Sequence, residues 1–265
     1  MNKTILITGS TDGIGKLAAI KLAKDGHQVY LHGRNSEKLL KVIDEVRMAS
    51  GNEKIGGFVA DFSDLDAVRQ MTQQIKAEIS QLDVLINNAG VFKSPNARNK
   101  DGLDLRLVVN YLAPYVLTNG LLPILEVSEN ARIINLSSAA QSTVSKGFLT
   151  GTTQVSTQEA YAQSKLVLTM WSFDLAKRLP DISVIAVNPG SLLNTRMVQE
   201  AYGRYWSSAD KGANILYDLA VSQQYKVITG KYFDNDSGGF GTAHADAYQE
   251  KLVKQLVEIT DEVLG

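Results

Sequence analysis

Hydrophobic residues along this chain follow two rhythms. Short runs rich in β-branched residues occur at 4–8, 28–32, 55–59, 84–86, 132–136, 183–187 and 227–233, and each predicts a strand. Between them, at 13–25, 36–49, 65–79, 103–125 and 158–178, apolar positions recur every three or four residues and predict amphipathic helices. Strand and helix alternating in this order predict an α/β fold, a doubly wound, mainly parallel seven-stranded sheet with helices on both faces. The runs ILIT, VLIN and RIINL lack polar alternation, as expected of strands covered on both sides.

No internal repeat, low-complexity tract or linker interrupts residues 1–265, so a single domain is expected. Two segments follow neither rhythm: 139–157, rich in Ser, Thr and Gly, and 191–207, which carries Met197, Tyr202, Tyr205 and Trp206. Each follows a predicted strand at its carboxyl end, where open α/β sheets bind ligands. Residues 191–207 are therefore expected to form a substrate lid, with Leu192, Leu193, Met197 and the three aromatics lining an apolar pocket or packing as a plain helix.

Composition removes several functions. With 27 basic and 28 acidic residues and a net charge of -1, the chain has no basic excess for nucleic acid. It has no cysteine, which excludes disulfides, thiolate metal sites and a cysteine nucleophile. His27, His32 and His244 are scattered without a carboxylate cluster, so no metal is expected. The N-terminal apolar run is too short for a signal peptide, and no stretch reaches the roughly 18 apolar residues of a membrane span. A soluble, cytoplasmic protein is the expectation.

The first predicted strand runs into Thr8-Gly9-Ser10-Thr11-Asp12-Gly13-Ile14-Gly15 and then a helix. In a β-α-β unit such a loop suits a pyrophosphate: Gly9 permits the tight turn, Gly13 close backbone approach and Gly15 close helix–strand packing. An ordinary strand-to-helix turn is the alternative. The second strand ends His32-Gly33-Arg34-Asn35, with no acid at Gly33 to hold a ribose 2′-hydroxyl. Arg34 can pair with a 2′-phosphate or remain a solvated loop residue, which favours NADP(H) with NAD(H) as the alternative, and Asp12 is a dissenting charge.

Tyr161 and Lys165 stand four apart and share a helix face. A phenol ordinarily titrates near pKa 10, and an adjacent ammonium stabilises the phenolate, so the pair suits proton exchange with a substrate oxygen. Ser137 and Ser138 end the strand RIINL, where either hydroxyl can face the same crevice or cap a turn. Asn110 is polar within the helical run LRLVVNYLAPYVL, where it can satisfy a buried contact near Pro114.

In order along the chain, TGSTDGIG, Asp61, Asn87-Asn88-Ala89-Gly90, Asn110, Leu136-Ser137-Ser138, Tyr161-Ala162-Gln163-Ser164-Lys165 and Asn188-Pro189-Gly190 resemble the motifs of the short-chain dehydrogenase/reductase family, a single Rossmann domain. The run DGLDLRLVVNYLAPYVLTNGLLP is similar to the retinol-dehydrogenase-like branch. The resemblance implies that Tyr161 is the acid/base, that Lys165 lowers its pKa and binds the nicotinamide ribose, that Ser138 bonds the substrate oxygen and that Asn110 holds a water linking Lys165 to solvent. It places the whole glycine loop and Asn88, Ala89 and Gly90 against the cofactor, Asp61 and Phe62 by the adenine, Asn87 in support of the central strand, and Pro189 and Gly190 beside the nicotinamide. Two departures stand out. Ser138 and Tyr161 are 23 residues apart, longer than in most members, and Asn194 stands where the family usually has threonine, with Thr195 one later.

The expected function is hydride transfer between NADP(H) and a carbonyl or alcohol carbon of a small, apolar substrate. The alternative is a regulatory Rossmann protein that senses NADP(H) without turnover. The resemblance also implies a homo-oligomer formed through the helices at 103–125 and 158–178.

Overall fold

All seven expected strands form in the computed structural model, which describes residues 2–265: β1 Thr4–Ile7, β2 Gln28–Gly33, β3 Ile55–Val59, β4 Val84–Asn87, β5 Arg132–Leu136, β6 Ser183–Asn188 and β7 Lys231–Asp234. An eighth, β8 Gly239–Gly241, corrects the expected count. It is three residues long with one side chain, too little for any alternation to show. Phe240 registers opposite Phe233, their rings edge-on at 5.1 Å, and this hairpin is the sheet's one antiparallel pair. β7 also starts later than its hydropathy suggests, because Val227 is 85% exposed and the chain turns through Gly230 before entering the sheet.

The sheet order is β3-β2-β1-β4-β5-β6-β7-β8. Chain direction of winding reverses between β1 and β4, where Ile5 pairs with Val84, and a crevice opens at the carboxyl ends of those strands. In β4 and β5, Asn87 and Asn135 are register partners. Asn87 Nδ2 donates to Asn135 Oδ1 at 2.8 Å and to Thr118 Oγ1 at 3.0 Å, and Asn135 Nδ2 donates to Ser172 Oγ at 2.8 Å.

The helices longer than one turn are α1 Gly13–Lys24, α2 Ser36–Ser50, α3 Leu65–Glu78, α4 Leu105–Leu125, α5 Thr157–Arg178, α6 Arg196–Tyr202, α7 Ala209–Val221 and α8 Glu250–Leu264. The last three lie outside the predicted helices. α6 forms inside 191–207, with Thr195 Oγ1 accepting from Val198 N at 3.4 Å at its start and Gly203 in the left-handed region at its end. α8 buries Val253, Leu256 and Ile259.

Helix α4 corrects the expectation on membrane spans: by length and composition it is apolar enough to cross one. Its Leu107, Tyr111, Leu117, Leu121 and Leu125 are buried in the core here. Around Asn110 the helix widens to a π turn over Val108–Leu112, just before Pro114. The flank of α4 and α5 carries α8: Tyr111 Oη lies 2.8 Å from Thr260 Oγ1, and Tyr115 Oη donates to Asp261 Oδ1 at 2.6 Å. Part of the helix pair from which an oligomer was expected is therefore packed against the chain's own α8.

Candidate active site

The loop after β1 makes its turn at Gly9, whose φ of +62° favours glycine. A Cβ there would stand 2.7 Å from Ala89 Cα, and one on Gly15 would stand 2.5 Å from Asn88 Nδ2. That closeness is used: Asn88 Nδ2 donates to the carbonyls of Thr8 and Gly9 at 2.8 and 2.9 Å, while Thr8 Oγ1 accepts from Asn88 N and Ala89 N, both at 3.0 Å. Asn88 and Ala89 thus fasten the two loops of the crevice together.

Thr11, Asp12, Gly13 and Ile14 line the crevice, but Ser10 does not. Its hydroxyl turns inward, donating to Ile7 O at 2.8 Å and accepting from His32 N at 3.0 Å, and its amide donates to His32 O. Ser10 is buried, with both polar groups spent, which corrects its expected place at the cofactor. Partial burial pushes the Asp12 carboxyl up, but the Gly13 amide and the Lys38 ammonium, 3.2 Å away, outweigh it and hold it below the usual carboxylate range. The dissenting charge is therefore already partnered. Arg34 is exposed at the crevice edge, and Asp61 and Phe62 line the same end.

The crevice holds about 1440 Å³, beyond the ~300–1,000 Å³ of a drug-sized ligand pocket. Ser138, Tyr161 and Lys165 meet in its wall. Both serines border the crevice but their hydroxyls differ: Ser137 Oγ is buried 2.6 Å from Thr169 Oγ1, whereas the Ser138 hydroxyl lies beside Tyr161. Ser138 Oγ accepts from Ala140 N at 3.1 Å, and its hydroxyl also bonds the Tyr161 phenol. Lys165 Nζ donates to Leu136 O at 2.6 Å and lies 5.6 Å from the Tyr161 ring centroid. Burial brings the Lys165 ammonium down to about 8. Burial also pushes the Tyr161 phenol up to about 12, partly offset by Ser138. In the free protein burial is the larger influence on both groups.

Asn110 is clamped on the neighbouring turn. Its Oδ1 accepts from Val91 N at 2.7 Å, and its Nδ2 donates to Val91 O at 3.1 Å and Ser164 Oγ at 2.9 Å. Both amide protons are spent on protein, while Oδ1 keeps a second lone pair. Pro189, Gly190 and Thr195 line the crevice; Asn194 does not, its Oδ1 accepting from Gln199 Nε2 at 3.1 Å instead. Thr195 is thus the better placed of the pair. Leu193, Met197 and Tyr202 face the crevice, whereas Leu192, Tyr205 and Trp206 do not, and Trp206 is 71% exposed. Phe92 joins the wall, its ring 4.9 Å from Tyr161 and 5.6 Å from Tyr202.

Three supports were not read from the sequence. Ser138 O accepts from Gln141 Nε2 at 2.9 Å and from Tyr232 Oη at 3.0 Å. Asp236, in the β7–β8 turn, accepts from Ser191 N at 2.9 Å and from Asn188 Nδ2 at 2.9 Å, anchoring the root of 191–207. His32 holds Gly9. Tyr232 and Asp236 belong to no local motif and reach their partners only through strand order.

Fold, glycine loop and the Ser138-Tyr161-Lys165 cluster together define a short-chain dehydrogenase, and the chain matches that family over residues 3–205. It belongs to the short-chain dehydrogenase/reductase family, in the retinol-dehydrogenase-like branch. It is 31% identical to Retinol dehydrogenase 12 of Mus musculus, over 99% of this chain and 86% of that protein. It is 30% identical to Polyprenol dehydrogenase of Homo sapiens, over 100% and 86%. A short chain dehydrogenase of Shigella flexneri 2a, solved in complex with NADP, superposes with a TM-score of 0.72 at 28% identity, over 89% of this chain and 98% of that one.

Proposed function

We propose that the protein is an NADP(H)-dependent oxidoreductase that reduces the carbonyl of an apolar aldehyde or ketone. One observation carries this reading: Ser138, Tyr161 and Lys165 converge on the wall of the crevice that the glycine loop also lines. The crevice suits a nicotinamide, because a Cβ on Gly90 would stand 3.4 Å from Asn110 Oδ1 and 3.7 Å from Lys165 Nζ, space that the glycine leaves open. When bound, the cofactor supplies the hydride. Thr11 to Ile14 and Thr195 would hold it, and the exposed fork of Arg34 would meet a 2′-phosphate.

The chain's own work is to handle the oxygen. Ser138 donates its hydroxyl hydrogen bond to the carbonyl oxygen, and Tyr161 gives up the phenol proton as negative charge develops there. A phenol at about 12 is protonated at neutral pH, which is the form a reduction consumes. Relatives named for retinol and polyprenol support an apolar substrate. A sensor without turnover would need none of this set. The test is NADPH absorbance over a panel of aldehydes and ketones that includes all-trans-retinal and decanal; tight NADPH binding with no turnover across the panel would leave only the sensor.

Cofactor preference has its own expected result. Arg34→Ala should weaken NADPH by about tenfold to a hundredfold, the worth of a hydrogen bond to a charged group, and leave NADH nearly unchanged. Gly33 is the wrong place to introduce an acid, since a Cβ there would stand 2.5 Å from Thr11 Cγ2. Equal losses for both cofactors in a binding titration would count against the 2′-phosphate contact.

We read 191–207 as a lid anchored by Asp236. Asp236→Ala should speed amide hydrogen exchange across α6 in the NADPH complex while leaving β1 to β5 protected. Unchanged exchange in α6 would remove Asp236 from that role.

A further inference from the structure

His32 looks from its sequence like a core histidine on the second strand. It is 3% exposed, and every polar atom it carries is engaged at the cofactor end of the sheet. Gly9 N–H donates to Nδ1 at 3.0 Å, and Nε2 lies 3.0 Å from Ala60 O. Its ring stacks on Phe62 with centroids 4.2 Å apart. Its backbone amide donates to Ser10 Oγ, and its carbonyl accepts from Ser10 N, each at 3.0 Å.

These bonds select one form of the ring. Nδ1 must present a lone pair to the Gly9 amide, and Nε2 must carry the proton for the Ala60 carbonyl. A second proton on Nδ1 would confront the Gly9 N–H, donor against donor. Burial brings the imidazole down to about 4, with the Ala60 carbonyl and Asp61 only partly offsetting it, so the ring is neutral near pH 7.

We propose that His32 is a positioning residue for the dinucleotide, tying the pyrophosphate loop at Gly9 to the adenine-side turn that begins at Ala60. This rests on the NADP(H) reading. One ring fixes both halves of the site: on one side the left-handed turn at Gly9 that aims Thr11 to Ile14, on the other the carbonyl that precedes Asp61 and Phe62. A hydrophobic residue would fill the volume and hold neither.

Three substitutions divide the role. His32→Asn retains an acceptor where Nδ1 stands, His32→Gln retains a donor where Nε2 stands, and His32→Leu retains neither. NADPH affinity at pH 7 should fall about threefold in His32→Asn, which loses only the Ala60 contact, and about tenfold or more in His32→Gln and His32→Leu, which leave the buried Gly9 amide without a partner. Melting temperature should drop for both polar variants, since each loses one ring bond. In the wild type, added NADPH should move the ring-nitrogen NMR resonances of His32 but not those of His27 or His244, a readout that needs no variant to fold. The proposal is overturned if affinity simply tracks melting temperature across the three variants, or if the His32 resonances ignore NADPH. A wild type that does not bind NADPH overturns the NADP(H) reading itself, and this inference with it.

Discussion

Changing Tyr161 to Phe should cut carbonyl turnover by at least about 10² to 10⁴, the usual worth of general acid catalysis, while NADPH affinity stays within about threefold. The substitution deletes one hydroxyl and leaves the ring packed at a tilt against Phe92. The phenol's proton matters only when charge reaches the substrate oxygen, so the loss belongs in kcat. Steady-state kinetics beside a binding titration separates the two. A Phe variant that matches wild type in rate would remove Tyr161 from the chemistry.

Lys165→Met should lose turnover and gain stability. An ammonium brought down to about 8 from its ordinary value near 10.5 is held charged at neutral pH against burial. The sign follows from proton counting. Between those two values the unfolded chain binds the extra proton, so stability rises with pH across that window, and below pH 8 the buried charge costs on the order of 3 kcal/mol. Met removes that cost but leaves Leu136 O without its donor, which returns part of the gain. The expected rise in melting temperature is a few degrees. Reduction by the wild type should decline above pH 8 as Lys165 deprotonates. A variant that melts well below wild type would show that the Leu136 contact outweighs the buried charge.

The sheet was legible because its central strands are short, β-branched and apolar on both sides, a pattern few other elements share. β8 was not, since a lone phenylalanine between glycines has no period. The glycine loop and the Tyr161-Lys165 spacing were legible because backbone sterics and helix geometry act locally. What decided between neighbours was distant. The Ser138 hydroxyl rather than that of Ser137 serves the crevice because Thr169 on α5 takes the Ser137 hydroxyl, and Ser10 turns inward because β2 lies beside it. His32 resembles any buried histidine until β1 and β3 flank it. The burial that pushes the Tyr161 phenol up and the Lys165 ammonium down was hidden for a similar reason, since neither sequence spacing nor a shared helix face measures it.

The paired amides of Asn87 and Asn135 bear on misfolding. β4 is otherwise apolar, and so is β5 after Arg132, so a shifted alignment meets apolar neighbours at most other positions. A slip of one residue would separate the two amides and leave buried groups without partners, at about 1 to 3 kcal/mol each. The same slip would carry Ser138 about 3.3 Å along the sheet relative to Gly90. A protein with its strands in the right order and this alignment wrong would have a complete core and no catalytic crevice, so the asparagine pair guards activity from a distance, by making the inactive alignment the less stable one.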